Sequence, residues 1–183
     1  MKEEKDFKVY LRAFELTDLE KLNALRNDDE AFLHTGGNKY FISMEYDRKW
    51  VEDKIFNNQH QIYLAICLTD TKELVGYLGI SEIDYRNRKA QWAGINIDKG
   101  YSNKGYATEA AKLMLKFIFE ELGLNRFYGY WLESNKPSIR MGEKLGFVIE
   151  GLVRGFVYKK NQFQNVYLMS ILKEEYNMKL NGK

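Results

Sequence analysis

The stretch GYSNKGYATEA, Gly100 to Ala110, sets two glycines five residues apart just ahead of a long apolar-patterned run. Glycines before a helix N-terminus leave backbone N–H groups free to face a phosphate, and the helix adds partial positive charge. The spacing is that of an ATP-binding P-loop. A P-loop continues with Lys and then Ser or Thr, which reach the terminal phosphates and magnesium. Here Tyr106 and Ala107 take those places. A dinucleotide fingerprint, Gly-x-Gly-x-x-Gly, is not present either. The stretch suits a pyrophosphate held as a handle, with the chemistry done elsewhere.

Few other groups compete for a chemical role. Cys67 is the only cysteine and lies in the apolar run QIYLAICLT. It reads as a buried structural thiol, and a lone cysteine excludes both an internal disulfide and a Cys-based zinc site. The two histidines, His34 and His60, are not adjacent to it. With 28 basic and 26 acidic residues the net charge is +2, without the basic excess of a nucleic-acid or membrane-surface protein. No window reaches the ~18 apolar residues of a membrane span. MKEEKDFKVYLRAF is charged and lacks a signal peptide's apolar segment. These features predict a cytoplasmic protein without a metal.

Positioning the glycine loop requires a sheet and helices, and the pattern supplies them. Phe7 to Phe14 alternates as a strand. TDLEKLNALRND follows as a helix, with Thr17 as N-cap and Leu19, Leu22 and Leu25 on one face. The polar stretch HTGGNKY is a loop. SMEYDRKWVEDKIFN repeats the helical form, with Ser43 as cap and Trp50, Ile55 and Phe56 on the buried side. QIYLAICL and LVGYLGISEIDY are strands joined by TDTKE. Ala90 to Asp98 is another strand, whose central Gly94 marks a bulge or a close backbone approach. A helix over roughly Lys104 to Leu122 has a narrow polar stripe, Glu109, Lys112, Lys116 and Glu120, so it must lie against a sheet. RFYGYWL is a strand, and PSIRMGEKLGF a short helix with Pro137 in its first turn and Gly146 past its end. Two long strands around a turn near Asn161 close the chain. The fold class is α/β, with a mixed, mostly antiparallel sheet in a single domain, residues 1–183.

SNKGYA, Ser102 to Ala107, resembles the pyrophosphate loop of the GNAT N-acetyltransferases, Arg/Gln-x-x-Gly-x-Gly/Ala. It matches at Gly105 and Ala107, while Ser102 stands where Arg or Gln is usual. GINID before the loop and GYATEAAKLMLKFIFEELGLNRF after it resemble the family's splayed strand and long helix. ESNKPSIRMGEKLGF is similar to a later segment, in register at Asn135, Ser138, Lys144, Gly146 and Phe147. The tail resembles the subgroup of ribosomal-protein N-terminal and spermidine acetyltransferases. The likeness runs from about Phe7 to Tyr176. It implies the GNAT fold, a central sheet flanked by helices with a V-shaped splay between its two central strands. It also implies acetyl-CoA as co-substrate, lying between Ile95–Ile97 and the strand that starts near Phe127. Ile95 and Ile97 would pair with the pantetheine arm through their backbones. Ser102, Asn103, Lys104, Gly105, Tyr106, Ala107 and Thr108 would seat the pyrophosphate, and Asn135 and Ser138 would face the thiol end.

The resemblance implies N-acetyl transfer to a primary amine by direct attack on the thioester, and it allows a homodimer. Two positions depart from the family pattern. Gln91 stands where many members carry a glutamate base, and Gly142 where many carry a tyrosine acid. This leaves Glu82 as the first choice for a base, with Asp84 and His34 as weaker ones and Tyr130 as a candidate acid. The acidic runs NDDE (Asn27 to Glu30) and MEYD (Met44 to Asp47) could face an acceptor. A polyamine, a protein N-terminus, an aminoglycoside and an amino sugar all fit. The same departures motivate an alternative, a non-catalytic acyl-CoA-binding sensor, and a third reading is an interaction protein that binds no CoA.

Overall fold

The structure, a computed structural model, describes residues 6–35 and 41–180. Strand β1 (Val9–Ala13) enters α1 (Leu19–Arg26) through a tight 3-10 turn, Leu16–Asp18. Thr17 is not the cap expected from the sequence. Glu15 and Asp18 cap each other reciprocally and Asp18 precedes α1, because Arg12 grips the Asp18 carboxylate with two hydrogen bonds of 2.7 and 2.8 Å. Leu19, Leu22 and Leu25 are buried as their spacing requires. A short helix α2 (Asp29–His34) follows, which the sequence pattern did not reveal. The expected HTGGNKY loop lies, from Gly36 to Tyr40, outside the described residues.

Helix α3 (Met44–Phe56) is capped by Ser43, whose hydroxyl accepts from the Tyr46 N–H at 3.1 Å. Val51 is its buried apolar residue, and Trp50 and Ile55 are partly buried. Phe56 is 74% exposed, against expectation. At 100° per residue it falls well off the stripe shared by Asp47, Trp50, Val51 and Lys54.

Strands β2 (Ile62–Leu68), β3 (Leu74–Asp84) and β4 (Lys89–Ile97) form a meander with β1. Helix α4 (Tyr106–Lys116) continues as a π-helical turn, Phe117–Glu121, and leads to β5 (Arg126–Leu132). Helix α5 (Lys136–Leu145) ends on Gly146 at φ +105, the left-handed cap that glycine takes without strain. Strands β6 (Val148–Lys159) and β7 (Gln162–Leu172) are joined through Lys160 and Asn161, both with positive φ. A helix α6 (Lys173–Leu180), also unforeseen, then docks Tyr176 on Phe119, with ring centroids 4.9 Å apart.

The seven strands lie in the order β1-β2-β3-β4-β5-β7-β6, and only β4 and β5 run parallel. One face buries α4 and α5 against Ile66, Leu78, Ile80, Phe127, Met169 and their neighbours. The other face packs α1 and α3 on Ala65, Cys67 and Leu74. Cys67 is fully buried there, and burial pushes its thiol up, as expected of a structural cysteine.

Candidate active site

The site grows from the junction of β4 and β5. Their ladder covers only Lys89–Gln91 against Arg126–Tyr128. Beyond it the register of β4 on β3 jumps from Ile80↔Trp92 to Gly79↔Gly94, which leaves Ala93 as an extra residue. Gly94 follows at φ +112. An inserted residue bends its strand and ends regular pairing. The Trp92 side chain then wedges across β5 at Gly129, where an added Cβ would come within 2.9 Å of the Trp92 Cβ. The indole packs on Phe127, Trp131 and Phe147, with centroids 5.4, 6.5 and 6.3 Å away. Bulge and wedge together part the two strands.

This exposes one edge of β4. Asp98 N–H donates to the Val75 carbonyl of β3 at 2.8 Å. Strand alternation turns Asn96 toward β3 as well, and so turns the N–H and C=O groups of Ile95 and Ile97 to the opposite edge, where β5 has departed. The sequence-chosen pair Ile95 and Ile97 is therefore open to an added partner.

At the far end of β4 the glycine loop leads into α4. Asn103 (φ +62) and Gly105 (φ +84) are both left-handed, and Gly105 is the N-cap without a side-chain cap. The first intrahelical acceptor there, the Gly105 carbonyl, takes the Glu109 N–H at 3.1 Å. The N–H groups of Tyr106, Ala107 and Thr108 thus have no intrahelical acceptor. A Cβ built on Gly105 meets nothing within 4 Å, so the ground before this helix end is open. Ser102 and Lys104 lie exposed on the loop, and the Lys104 ammonium sits 4.9 Å from the Tyr101 ring centroid. These features fit a pyrophosphate. Asn135 caps α5, its side-chain oxygen accepting from the Ser138 N–H at 3.2 Å.

On the face opposite α4 the strands bring a second group together. Phe127 and Trp131 belong to the α4-side core, so alternation sends Arg126, Tyr128 and Tyr130 to the other face. A second bulge sets Glu82 and Ile83 of β3 opposite Ala90. There Glu82, at φ +50, adopts a left-handed conformation rare for a side-chain-bearing residue. Its Oε2 accepts from the Tyr128 hydroxyl at 2.9 Å. Burial, and then this hydrogen bond, push the Tyr128 hydroxyl up to about 12. Tyr128 stands in the last register of the β4–β5 ladder, beside Gln91. Its signal in the sequence is the alternation of RFYGYWL, which puts Tyr128 on the face of Tyr130.

The remaining candidates separate. Asp84 accepts from the Asn87 backbone and side chain at 2.9 and 2.7 Å and serves its turn. Tyr130 is 39% exposed and stacks on Phe156. His34 ends α2, with its side chain outside the described residues. Gly142 is buried against Met169, so no hydroxyl stands at that point of α5. Asp47 does not face an acceptor; fully buried, it is paired with Arg26 and accepts from Asn23 at 2.8 Å. Among the described residues no group of three or more His, Cys, Asp or Glu could hold a metal ion, and no helix is long and apolar enough to cross a membrane.

A family model described as an acetyltransferase (GNAT) domain matches residues 8–148. The chain belongs to the GNAT acetyltransferases. This GNAT chain is 29% identical to an uncharacterized N-acetyltransferase, p20, of Bacillus licheniformis, over 92% of this chain and 95% of the other. It is 27% identical to the spermidine N(1)-acetyltransferase of Escherichia coli K12, over 92% and 88%. Its fold superposes on the crystal structure of spermidine N-acetyltransferase from Vibrio cholerae in complex with CoA and spermine. The TM-score is 0.86, with 25% sequence identity and 93% and 98% of the two chains covered. The GNAT chain is an enzyme that transfers acetyl to an amine, and the sensor alternative is not favoured.

Proposed function

We propose that the chain moves the acetyl group of acetyl-CoA to a small primary amine by direct attack on the thioester. The observation that carries this reading is the fork between β4 and β5, which opens beside an uncapped helix N-terminus. Ser102 to Thr108 would hold the pyrophosphate on loop and helix N–H groups. Ile95 and Ile97 would pair with the pantetheine arm as an added strand does. A backbone N–H beside the Ala93 bulge would polarise the thioester carbonyl, and Asn135 and Ser138 at the start of α5 would face the sulfur. The single sheet supports one acetyltransferase domain spanning residues 1–183, which we place in the cytoplasm.

An ammonium is not a nucleophile. Glu82 takes one proton from it, directly or through a water, and the freed nitrogen lone pair bonds to the carbonyl carbon. The C–S bond breaks, its electron pair stays on sulfur, and the nitrogen's surplus proton balances the departing thiolate. Holding the two reactants at the fork supplies much of the remaining barrier reduction. Relatives named for spermidine support a small-molecule amine as acceptor.

The test is thiol release from acetyl-CoA over a panel of amines, run beside Gly105→Glu. That variant sets a carboxylate at the helix end, where acetyl-CoA affinity should fall ~100-fold or more while the fold persists. Unchanged affinity would remove the proposed cofactor seat.

A further inference from the structure

The face of the fork opposite α4 carries a continuous row of side chains that acetyl transfer alone does not explain. Glu82 accepts from Tyr128, whose ring meets that of Tyr130 edge-on at 6.4 Å. Tyr130 is stacked on Phe156 at 4.7 Å and 25°. Two separate backbone irregularities build this row. The β3 bulge aims Glu82, and a wider one in β6 sets Arg154, Gly155 and Phe156 against the single Asn165 of β7. Gly155 turns there at φ +60, its N–H held by the Asn165 side chain at 3.0 Å. The rings of Tyr130 and Phe156 remain 39% and 51% exposed.

Charge decides what the row can take. Among the described residues Glu82 has no cationic partner, and only one of its oxygens accepts a hydrogen bond. Four nearby acids already have partners of their own. Asp47 is buried with Arg26. Asp28 lies 3.9 Å from Lys99. Glu150 is paired with Arg126, and Glu133 accepts from Asn165 at 2.9 Å. The stretch Gly36 to Tyr40 contains no carboxylate. Along the row itself a polyamine's further ammonium groups would meet no second carboxylate, while an apolar stem would cover the exposed rings of Tyr130 and Phe156. One carboxylate at the head of an aromatic shelf fits one ammonium on an apolar stem.

We infer that the row Glu82, Tyr128, Tyr130 and Phe156 is the acceptor's seat, and that it selects monoamines carried on an aryl or long alkyl stem over polyamines. This rests on the reading of the fork as the thioester's place. In it, Glu82 faces the ammonium, Tyr128 is a positioning residue that fixes the carboxylate, and Tyr130 and Phe156 cover the stem.

The experiment compares phenethylamine with spermidine, in turnover and in binding. Thiol release should give phenethylamine the higher kcat/KM by roughly tenfold. Phe156→Ala should raise the phenethylamine KM roughly tenfold, leaving the acetyl-CoA KM within about twofold. Phe156 is half exposed on an edge strand, so its loss leaves the fold standing. Preference for spermidine, or an unchanged phenethylamine KM in Phe156→Ala, overturns the seat and leaves acetyl transfer intact. NMR shifts of the Tyr130 and Phe156 rings on adding phenethylamine separate the remaining cases. Ring shifts without thiol release from phenethylamine overturn the row as an acceptor's seat, because an amine held there is then not acetylated. Neither shifts nor release overturns the seat.

Discussion

At the scale of single residues the proposed mechanism turns on Glu82 and Tyr128, which share a hydrogen bond. The Tyr128 hydroxyl, pushed up to about 12 first by burial and then by Glu82, stays protonated through neutral pH and donates throughout. It therefore holds the carboxylate rather than trading protons with it. Glu82→Gln should lower kcat by roughly 100-fold or more, with little change in acetyl-CoA KM, as steady-state thiol release would show. Tyr128→Phe should cost about tenfold in kcat, and the double variant no more than Glu82→Gln alone, because both changes act through one carboxylate. Asp84→Asn, whose acid serves a turn, is the control that should change neither. Additive losses would show that Tyr128 acts on its own. The sequence led to Glu82 by its position on the strand beside Gln91. Its left-handed backbone and its partner 46 residues away depend on a strand register that no local pattern encodes.

At the scale of elements, most strands and both long helices were legible, because alternation and 3.6-residue periodicity survive in strands and helices with one buried face. What escaped were α2 and α6. The first is a single short turn-and-a-half, and the second, KEEYNMKL, buries only Tyr176, so neither shows a periodic apolar stripe. Gly94 was read as a bulge or close approach, and the bulge is there. The wedge was not legible, since it needs Trp92 and Gly129 from different strands. Gly129 is in ordinary strand conformation, so its role is purely steric. Gly129→Ala would set a methyl within 3.0 Å of both Trp92 and Trp131. The expected cost is ~1–3 kcal/mol of stability, the usual range for forcing an extra carbon into a packed core. Acetyl-CoA affinity should drop with it, as the fork's edges shift. Thermal melts paired with acetyl-CoA titration check this, and a variant that loses stability but binds normally would show that the wedge does not shape the cofactor's place.

At the scale of the whole molecule the sheet is two wings, β1–β4 and β5-β7-β6, joined through the three-residue β4–β5 ladder. The fork exists because that seam is short, so the second wing must be braced from within. Arg126, in the first register of the seam, reaches over β7 to Glu150 of β6 with two hydrogen bonds of 2.7 and 2.6 Å. Ser170 of β7 donates to the same carboxylate at 2.6 Å. Arg126, with Ser170 adding to it, holds the Glu150 carboxyl down to about 2. A depressed carboxylate stabilises the fold fully above its ordinary value of ~4.3, and that contribution fades as pH falls through the folded value near 2. Between pH 5 and 2 the melting temperature should therefore fall more steeply in the native chain than in Glu150→Gln, which has no carboxyl to protonate there. Asp53 and Asp98, held down by Lys54 and Lys21, steepen both curves alike, so the difference between the two chains isolates the brace. Parallel curves would mean that the pair across β7 is too solvated to hold the wing, and that the hydrophobic contacts of α4 and α5 alone keep the fork in shape.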